Sequence, residues 1–492
     1  MNLRVLVAVV VVAVLCACPG PSTNDGGVGG GGGFFGGGTG GGTTGGGTTG
    51  GGTTGGGTTG GGTTGGGTTG GGTTGGGTTG GGATGGGTGG ATGDGAFFHD
   101  VGGSQSPDVR TDSTGRFHAV WDTGASGRSV EYATCLGACG SESAWTFATL
   151  YRQQSQGSVS DARFAVGANG QLHVVYGRFL NSVAETIYLT CASNCASPTS
   201  WQEANLTSLF TAQILAPFRG APIVVDDSGR VSFVVSDGYP TLATCGSNCL
   251  NVASWSKGTF RNTAVRTQLA ARGTTLHMVF HDGTVLRYAS CASNCTAEAS
   301  WSQSAIGFVH DGAQPTNIAV GADGRVSIAY NQGTTSPSQS PQILSQADKV
   351  LVWQCAANCN LEASWSGVIL GAAGDGQEGM ALAEIGGALM LAMSTDSQLS
   401  AAICTSNCTT GTQWNLGGLD TAATMAAAID PYTYFSCSGN RPQIASWSPK
   451  DPSVAISPTT GSLVTAHTPV GHVTCGGNTS NAGTVLRFVY TE

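Results

Sequence analysis

The residues of this chain best equipped for chemistry are its cysteines, of which there are 16. Twelve fall into six Cys-x-x-x-Cys pairs: Cys135/Cys139, Cys191/Cys195, Cys245/Cys249, Cys291/Cys295, Cys355/Cys359 and Cys404/Cys408. In each copy a tryptophan follows ten residues after the first cysteine: Trp145, Trp201, Trp255, Trp301, Trp365 and Trp414. Asn194, Asn248, Asn294, Asn358 and Asn407 precede the second cysteine in five of the six copies. Thiols at this spacing could bind metal, exchange electrons, hold haem or close a disulfide. A metal site needs thiolates gathered at one place, commonly as Cys-x-x-Cys from two loops, whereas these pairs are spread along the chain. Haem attachment needs Cys-x-x-Cys-His, which does not occur, and the spacing does not favour a redox pair. The reading is six structural disulfides, each closing a five-residue turn worth about 2 kcal/mol in the loop-entropy picture. No metal and no cofactor is expected.

The remaining candidates are fewer. His118, His173 and His277 hold one repeated place in three copies and are read as structural; His281, His310, His467 and His472 are expected at the surface. The tryptophans could stack on sugar faces, but their fixed place beside the cysteine turn makes packing the expectation. A glycosidase would need two carboxylates flanking the scissile bond. Gly-x-Ser-x-Gly, His-Glu-x-x-His, a phosphate loop and a dinucleotide fingerprint set between a strand and a helix are all missing. No catalytic residue is assigned.

The elements that carry these residues repeat as well. Successive first cysteines lie 56, 54, 46, 64 and 49 residues apart, so units of fixed interior are joined by variable loops. Each unit opens with a hairpin of alternating apolar residues around a glycine-containing turn. The seven turns fall at 112–115, Asn169-Gly170, 227–229, Arg272-Gly273, Asp323-Gly324, Gly386-Gly387 and 459–461. Such turns supply the positive φ that tight hairpins require. A third strand runs into the first cysteine, with Tyr132, Tyr188 and Tyr288 three residues before it, and a fourth starts near the tryptophan. Four short strands per unit, seven units and no helical periodicity predict an all-β fold: a seven-bladed β-propeller of four-stranded antiparallel sheets. Six or eight blades remain as alternatives because Leu419–Lys450 reads as an insertion or a decayed unit. Toward the end of the chain Cys437 and Cys475 each begin a copy that has lost its second cysteine, which leaves them to pair with each other. Ala96–Asp100 resembles Gly307–Asp311, the lead-in to the fifth hairpin, so it should supply the outer strand of the last blade. Phe97 and Val489 are therefore expected in one sheet that closes the ring.

The turns Asp112-Ser113-Thr114-Gly115 and Asp227-Ser228-Gly229 resemble those of sialidase-like propellers, built from short Asp-containing hairpin repeats. The leading serine and the spaced aromatic of that motif are missing here. The resemblance covers roughly residues 107–490 and implies, as one reading, a sialidase-like glycoside hydrolase. Such enzymes use three arginines to hold a substrate carboxylate, with a tyrosine and an acid beside them. Arg110, Arg163, Arg219, Arg266 and Arg287 are available in different blades, and none sits in a motif that matches.

The chain begins with Arg4 and an apolar run over Leu6–Leu15, too short to span a bilayer and read as a secretory signal over residues 1–17. Leu15-Cys16-Ala17-Cys18 resembles a bacterial lipobox, which implies that Cys18 becomes the lipidated N-terminus. Removing Cys16 and Cys18 leaves 14 cysteines, an even number that suits an oxidising compartment. By the same resemblance, Pro19 rather than Asp after Cys18 directs the chain to the outer membrane. Residues 18–95 are mostly Gly-Gly-Gly-Thr-Thr repeats, without apolar periodicity, and are expected to form a disordered tether. Its reach is about 45 Å, taking roughly 5–6 Å × √n for a glycine-rich chain. The propeller is assigned to residues 96–492.

A net charge of −9 with 10% charged residues excludes a nucleic-acid partner, which needs a basic surface. The expected function is a membrane-anchored, non-catalytic module that binds a glycan or protein ligand.

Overall fold

The computed structural model describes residues 95–492 apart from 100–104, 124–127, 154–156, 181–182, 211–221, 237–239, 261–263, 283–284, 309–315, 332–348, 373–378, 395–397, 422, 426–442, 476–477 and 485. Cys16, Cys18, the tether up to residue 94, Arg219, His310 and Cys437 lie outside the described residues, as do the side chains of Arg266, Trp447, His472 and Cys475. The expected Cys437–Cys475 disulfide therefore lies outside the described residues too.

The chain folds as a seven-bladed β-propeller. Blade 1 consists of Gln105–Thr111, Phe117–Asp122, Ser129–Cys135 and Thr146–Arg152, paired antiparallel in that order from the centre outward. Blades 2 to 6 repeat the order over 157–205, 223–259, 264–308, 316–372 and 380–421. Glycines such as Gly115 (φ 82°) and Gly324 (φ 81°) take the left-handed conformation that the first hairpin turn demands. An aspartate at the start of that turn braces it through two backbone donors in blades 1 and 3, and Asp323 accepts from Arg325 N at 2.9 Å in blade 5. Asp112 Oδ1 accepts from Thr114 N at 2.9 Å and Arg116 N at 3.1 Å; Asp226 Oδ1 accepts from Ser228 N at 3.0 Å and Arg230 N at 2.9 Å. The bracing residue in blade 3 is thus Asp226, not Asp227 as the sequence suggested.

The packed core lies between blades, because each sheet is apolar on both faces. In blade 1, Val109, Phe117, Ala119 and Trp121 face blade 7, while Val120, Val130 and Tyr132 face blade 2. Comparable clusters fill each of the other boundaries up to that between blades 6 and 7.

The six cysteine pairs are disulfides within their own turns. Cys135–Cys139, Cys191–Cys195 and Cys245–Cys249 have Cα–Cα distances of 5.9, 5.8 and 5.7 Å. Cys291–Cys295, Cys355–Cys359 and Cys404–Cys408 each have 5.6 Å. The first cysteine of each pair ends the third strand of its blade, and the second lies in the turn beyond it. Asn194, Asn248, Asn294, Asn358 and Asn407 take φ of 51° to 56°, the left-handed region asparagine tolerates. In blade 1 Ala138 stands at that place, and Gly137 supplies the positive φ (92°) one residue earlier.

The second cysteines do more than the sequence reading assigned to them, which was a sulfur bond alone. A short 3-10 turn follows each pair and brings the tryptophan back over it. Trp145 Nε1 donates to the Cys139 carbonyl at 3.0 Å, Trp201 to Cys195 at 2.8 Å and Trp255 to Cys249 at 2.8 Å. Trp301 donates to Cys295 at 2.8 Å, Trp365 to Cys359 at 2.9 Å and Trp414 to Cys408 at 2.9 Å. Spacing could not show this bond, because it uses a backbone carbonyl that every residue carries. Cys139, Cys295 and Cys408 are buried, whereas Cys195, Cys249 and Cys359 are partly buried. The tryptophans are packed against their turns, and none forms an exposed stacking row; even Trp201 is only partly exposed.

Blade 7 departs from the others. Its strands are Gln443–Ile456, Leu463–Cys475 and Leu486–Thr491, with Asn478–Thr484 also paired to the second. Trp447 lies in the first strand and Cys475 ends the second, so neither occupies the place of a cysteine turn. The sequence likeness there came from small turn residues, not from a shared position in a blade. The outer strand is Gly95–His99, in register Ala96↔Val489 and Phe97↔Phe488. The two ends of the propeller domain thus close the ring without a covalent bond, as expected. Phe97 stacks on Phe488 at 5.1 Å, and a Cβ on Gly95 would lie 2.2 Å from the Gly140 carbonyl oxygen of blade 1, so only glycine fits there.

Candidate functional site

The innermost strands of the seven blades surround a central channel, a cavity of about 490 Å³. Register with the hairpin partner aligns the blades. The residues opposite Phe117, Leu172, Val231, Leu276, Val326, Leu389 and Leu463 are Thr111, Val166, Val225, Ala271, Val320, Glu384 and Ile456. One residue earlier, six blades carry Ala165, Val224, Ala270, Ala319, Ala383 and Ala455. Blade 1 carries Arg110.

The side chain of Arg110 is 48% exposed, and its Nη2 lies 3.1 Å from Asp108 Oδ1. Asp108 is itself buried. Its Oδ2 accepts from Phe164 N of blade 2 at 3.2 Å, and its Oδ1 receives the Ser453 hydroxyl of blade 7 at 3.5 Å. Val109 N donates back to Ser453 Oγ at 2.9 Å. Arg163 Nη1 donates to the Ser106 and Ala162 carbonyls. Ser106 Oγ donates to Asp451 Oδ2 at 3.5 Å. Across the channel, Asn317 Nδ2 donates to the Met380 carbonyl at 2.6 Å, and Glu384 Oε1 accepts from Gly387 N at 2.7 Å.

Of the charged residues that line the cavity, Asp451, Asp108, Arg110 and Arg163 stand on blades 7, 1 and 2, and Glu384 stands on the neighbouring blade 6, beside its hairpin turn. Backbone strain gathers in the same sector. Ser106 (φ 47°), Asp161 (φ 53°) and Asp451 (φ 46°) occupy one equivalent place, at a bulge in the first strand of each of these blades. A left-handed non-glycine residue costs roughly 1–2 kcal/mol, and such strain persists where the surroundings hold it, often at binding sites.

The cysteines singled out from the sequence take no part in this site. Neither the strand-end residues Cys135, Cys191, Cys245, Cys291, Cys355 and Cys404 nor their partners Cys139, Cys195, Cys249, Cys295, Cys359 and Cys408 line the cavity. They close the turns between the third and fourth strands, away from the innermost strands that form the channel. Their role is to hold the blades, not to meet a ligand.

Of the arginines singled out from the sequence, Arg110 and Arg163 are brought together here. Arg287 is not: its Nε donates to Asp282 Oδ2 at 2.7 Å on the third strand of blade 4, outside the channel lining. Asp108 and Asp451 were missed because a lone aspartate has no motif. Counting back from each hairpin turn would have exposed Arg110 as the one cation in a ring of alanine and valine.

His118, His173 and His277 lie opposite Arg110, Ala165 and Ala270 on the second strands, and none of the three lines the cavity. Each meets a tyrosine hydroxyl of its own blade: Tyr132 at 2.7 Å, Tyr188 at 2.5 Å and Tyr288 at 2.7 Å. Burial lowers the pKa of all three, that of His173 and His277 to about 4, which keeps these rings neutral. Their role is structural, as expected. His281 and His467, expected at the surface, are buried (1% and 0% exposed), because both point into blade boundaries.

No protein-family model matches the sequence, and no curated protein matches it. Among solved structures it is similar to the Hadza microbial sialidase Hz136, at 11% identity and a TM-score of 0.42, covering 65% of this chain and 66% of that one. It is similar to polysaccharide lyase Uly1 at 9% identity and a TM-score of 0.43, over 81% of this chain and 92% of that one. The intramolecular trans-sialidase from Ruminococcus gnavus gives 10% identity and a TM-score of 0.40, over 81% and 98%. The chain spans just under two thirds of the first of these. Likeness at this level carries no inference about activity.

Proposed function

We propose that this chain is an exported lipoprotein, anchored at the outer membrane through Cys18, whose propeller binds an acidic glycan in the channel sector formed by blades 7, 1 and 2. The observation that carries this reading is the contrast between Arg110 and the acids around it. Asp108, Glu384 and Asp451 are each engaged in hydrogen bonds that hold neighbouring strands or turns, so they serve the scaffold. Arg110 keeps about half of its side-chain surface open to the channel. A guanidinium in that setting can take a carboxylate or sulfate in a two-point hydrogen bond. The cavity volume falls in the range of small-molecule sites and suits a sugar unit rather than a folded partner. The six turn disulfides are consistent with export.

Calorimetric titration with uronic-acid and sulfated oligosaccharides, against neutral ones of equal length, tests the reading. Acidic sugars should bind, and Arg110→Ala should weaken binding tenfold or more without changing the folded state. Equal binding by Arg110→Ala, or preference for neutral sugars, would sink it. Turnover of the bound sugar, lost on Asp108→Asn or Asp451→Asn, would favour a glycoside hydrolase instead.

A further inference from the structure

The boundary between blades 6 and 7 is built from different residues than the other six. Four places along the second strand from the residue that faces the hairpin partner, blades 1 to 6 carry Trp121, Tyr176, Val235, Phe280, Tyr330 and Met393. Blade 7 carries His467. Two places along, Ala119, Val174, Phe233, Met278, Ile328 and Leu391 give way to Thr465. Both residues point toward blade 6 and are 0% exposed.

They meet a buried ion pair. Arg487, opposite His467 on the next strand, holds Asp420 from the outer strand of blade 6 through Nε to Oδ2 and through Nη2 to Oδ1 at 3.2 Å. His467 Nε2 lies 3.5 Å from the same Oδ2, without hydrogen-bond geometry. The guanidinium also sits over the Phe98 ring at 4.3 Å, on the strand that closes the ring. His467 Nδ1 and Nε2, Arg487 Nη1, Thr465 Oγ1 and Ser394 Oγ are buried without a hydrogen-bond partner. The charged groups the imidazole meets are Asp420 from blade 6 and Arg487 from its own blade. Lys450, on the first strand of blade 7, pairs with Thr468.

We propose that this boundary is an acid-operated opening point of the ring. The closed boundary holds one cation and one anion, in balance and away from water. Protonating His467 there adds a second cation beside Arg487 with no second acid to meet it. The proton is accepted readily only when blades 6 and 7 part and water reaches the ring. Burial accordingly holds the closed-state pKa of His467 down to about 4, against an ordinary value of about 6.5 in the open state. Opening is therefore resisted above about pH 6.5 and favoured as pH falls from there toward 4. The other boundaries carry an aromatic or aliphatic residue at this place, and none of these takes up a proton between about pH 7 and 4. Neither a disulfide nor a peptide bond joins Gly95–His99 to Leu486–Thr491, so strand pairing and side-chain packing alone hold that closure.

Hydrogen exchange on the intact protein between pH 7.5 and 4.5, corrected for intrinsic rates, reads this directly. Exchange in Trp414–Thr421 and Leu486–Thr491 should rise by up to roughly tenfold per pH unit below 6.5, while Val231–Ser236 of blade 3, a strand without a histidine, rises far less. His467→Phe, which installs the residue blade 4 has as Phe280, should abolish the rise. If that variant does not fold, His467→Gln, which cannot protonate in this range, should do the same. An unchanged acid response in either folded variant, a uniform rise in all blades, or no rise at all overturns the proposal.

Discussion

Tyr188 and Trp255 meet edge to face across the boundary between blades 2 and 3, with ring centroids 5.4 Å apart at 74°. The tyrosine hydroxyl is held by His173 within blade 2, and the tryptophan Nε1 is held by the Cys249 carbonyl within blade 3. A disulfide-closed turn of one blade is thereby tied to the third strand of the preceding one. The same connection joins Tyr132 to Trp201 at 5.5 Å and Tyr288 to Trp365 at 5.1 Å. Between blades 3 and 4, Phe260 takes the tyrosine's part against Trp301 at 5.6 Å.

A double-mutant cycle should detect this coupling. Trp255→Ala is expected to cost roughly 3–5 kcal/mol through the cavity it leaves. The interaction term with Tyr188→Leu should be about 1 kcal/mol, the usual worth of an aromatic pair beyond its buried area. Denaturant unfolding of the four proteins measures it. Additive effects would mean that the two rings merely share a boundary.

Acid should destabilise the fold through the buried histidines. His173 and His277 titrate at about 4 when folded, while the unfolded chain takes up the same protons near 6.5. Their contribution is fully present above about pH 6.5 and is lost as pH falls from there toward 4. The slope is up to about 1.4 kcal/mol per pH unit for each ring. The His173→Gln/His277→Gln variant should show a flatter dependence of melting temperature on pH across this window. An unaltered profile would place the acid sensitivity elsewhere.

The lipid anchor has its own test. Metabolic labelling with a fatty-acid analogue should mark the wild-type protein and not Cys18→Ser, and the variant should leave the membrane fraction. Label that persists on Cys18→Ser would refute lipidation at that residue.

Much of the architecture was readable from the residues, for local reasons. Period-two alternation around glycine turns gave the seven hairpins, and the ten-residue interval from cysteine to tryptophan gave the third and fourth strands. The likeness of Ala96–Asp100 to Gly307–Asp311 placed the closing strand, where Ala96 pairs with Val489. The site was harder to read because it depends on register between blades. Arg110 is ordinary within its own strand and distinctive only against Ala165, Val224 and their equivalents. His467 resembled a surface histidine because nothing nearby in sequence shows that Arg487 and Asp420 will enclose it. Asp226 lost its place to Asp227 because two adjacent aspartates fit the turn equally well until the backbone is seen.

The two ends of the blades live under different constraints. At the end that carries the hairpin turns and the disulfides, spacing from cysteine to tryptophan never varies. At the opposite end, the number of residues from second to third strand ranges from two between Leu180 and Val183 to seventeen between Asn331 and Lys349. Duplication of one ancestral unit followed by drift in length would leave such a record, with one end frozen by its cross-links and the other free to diversify. For protein engineering, the ring is a chassis. Foreign peptides spliced in after Asn331 should be carried without disturbing the cross-linked end, which makes that end the natural handle for immobilisation and the other the natural place for display.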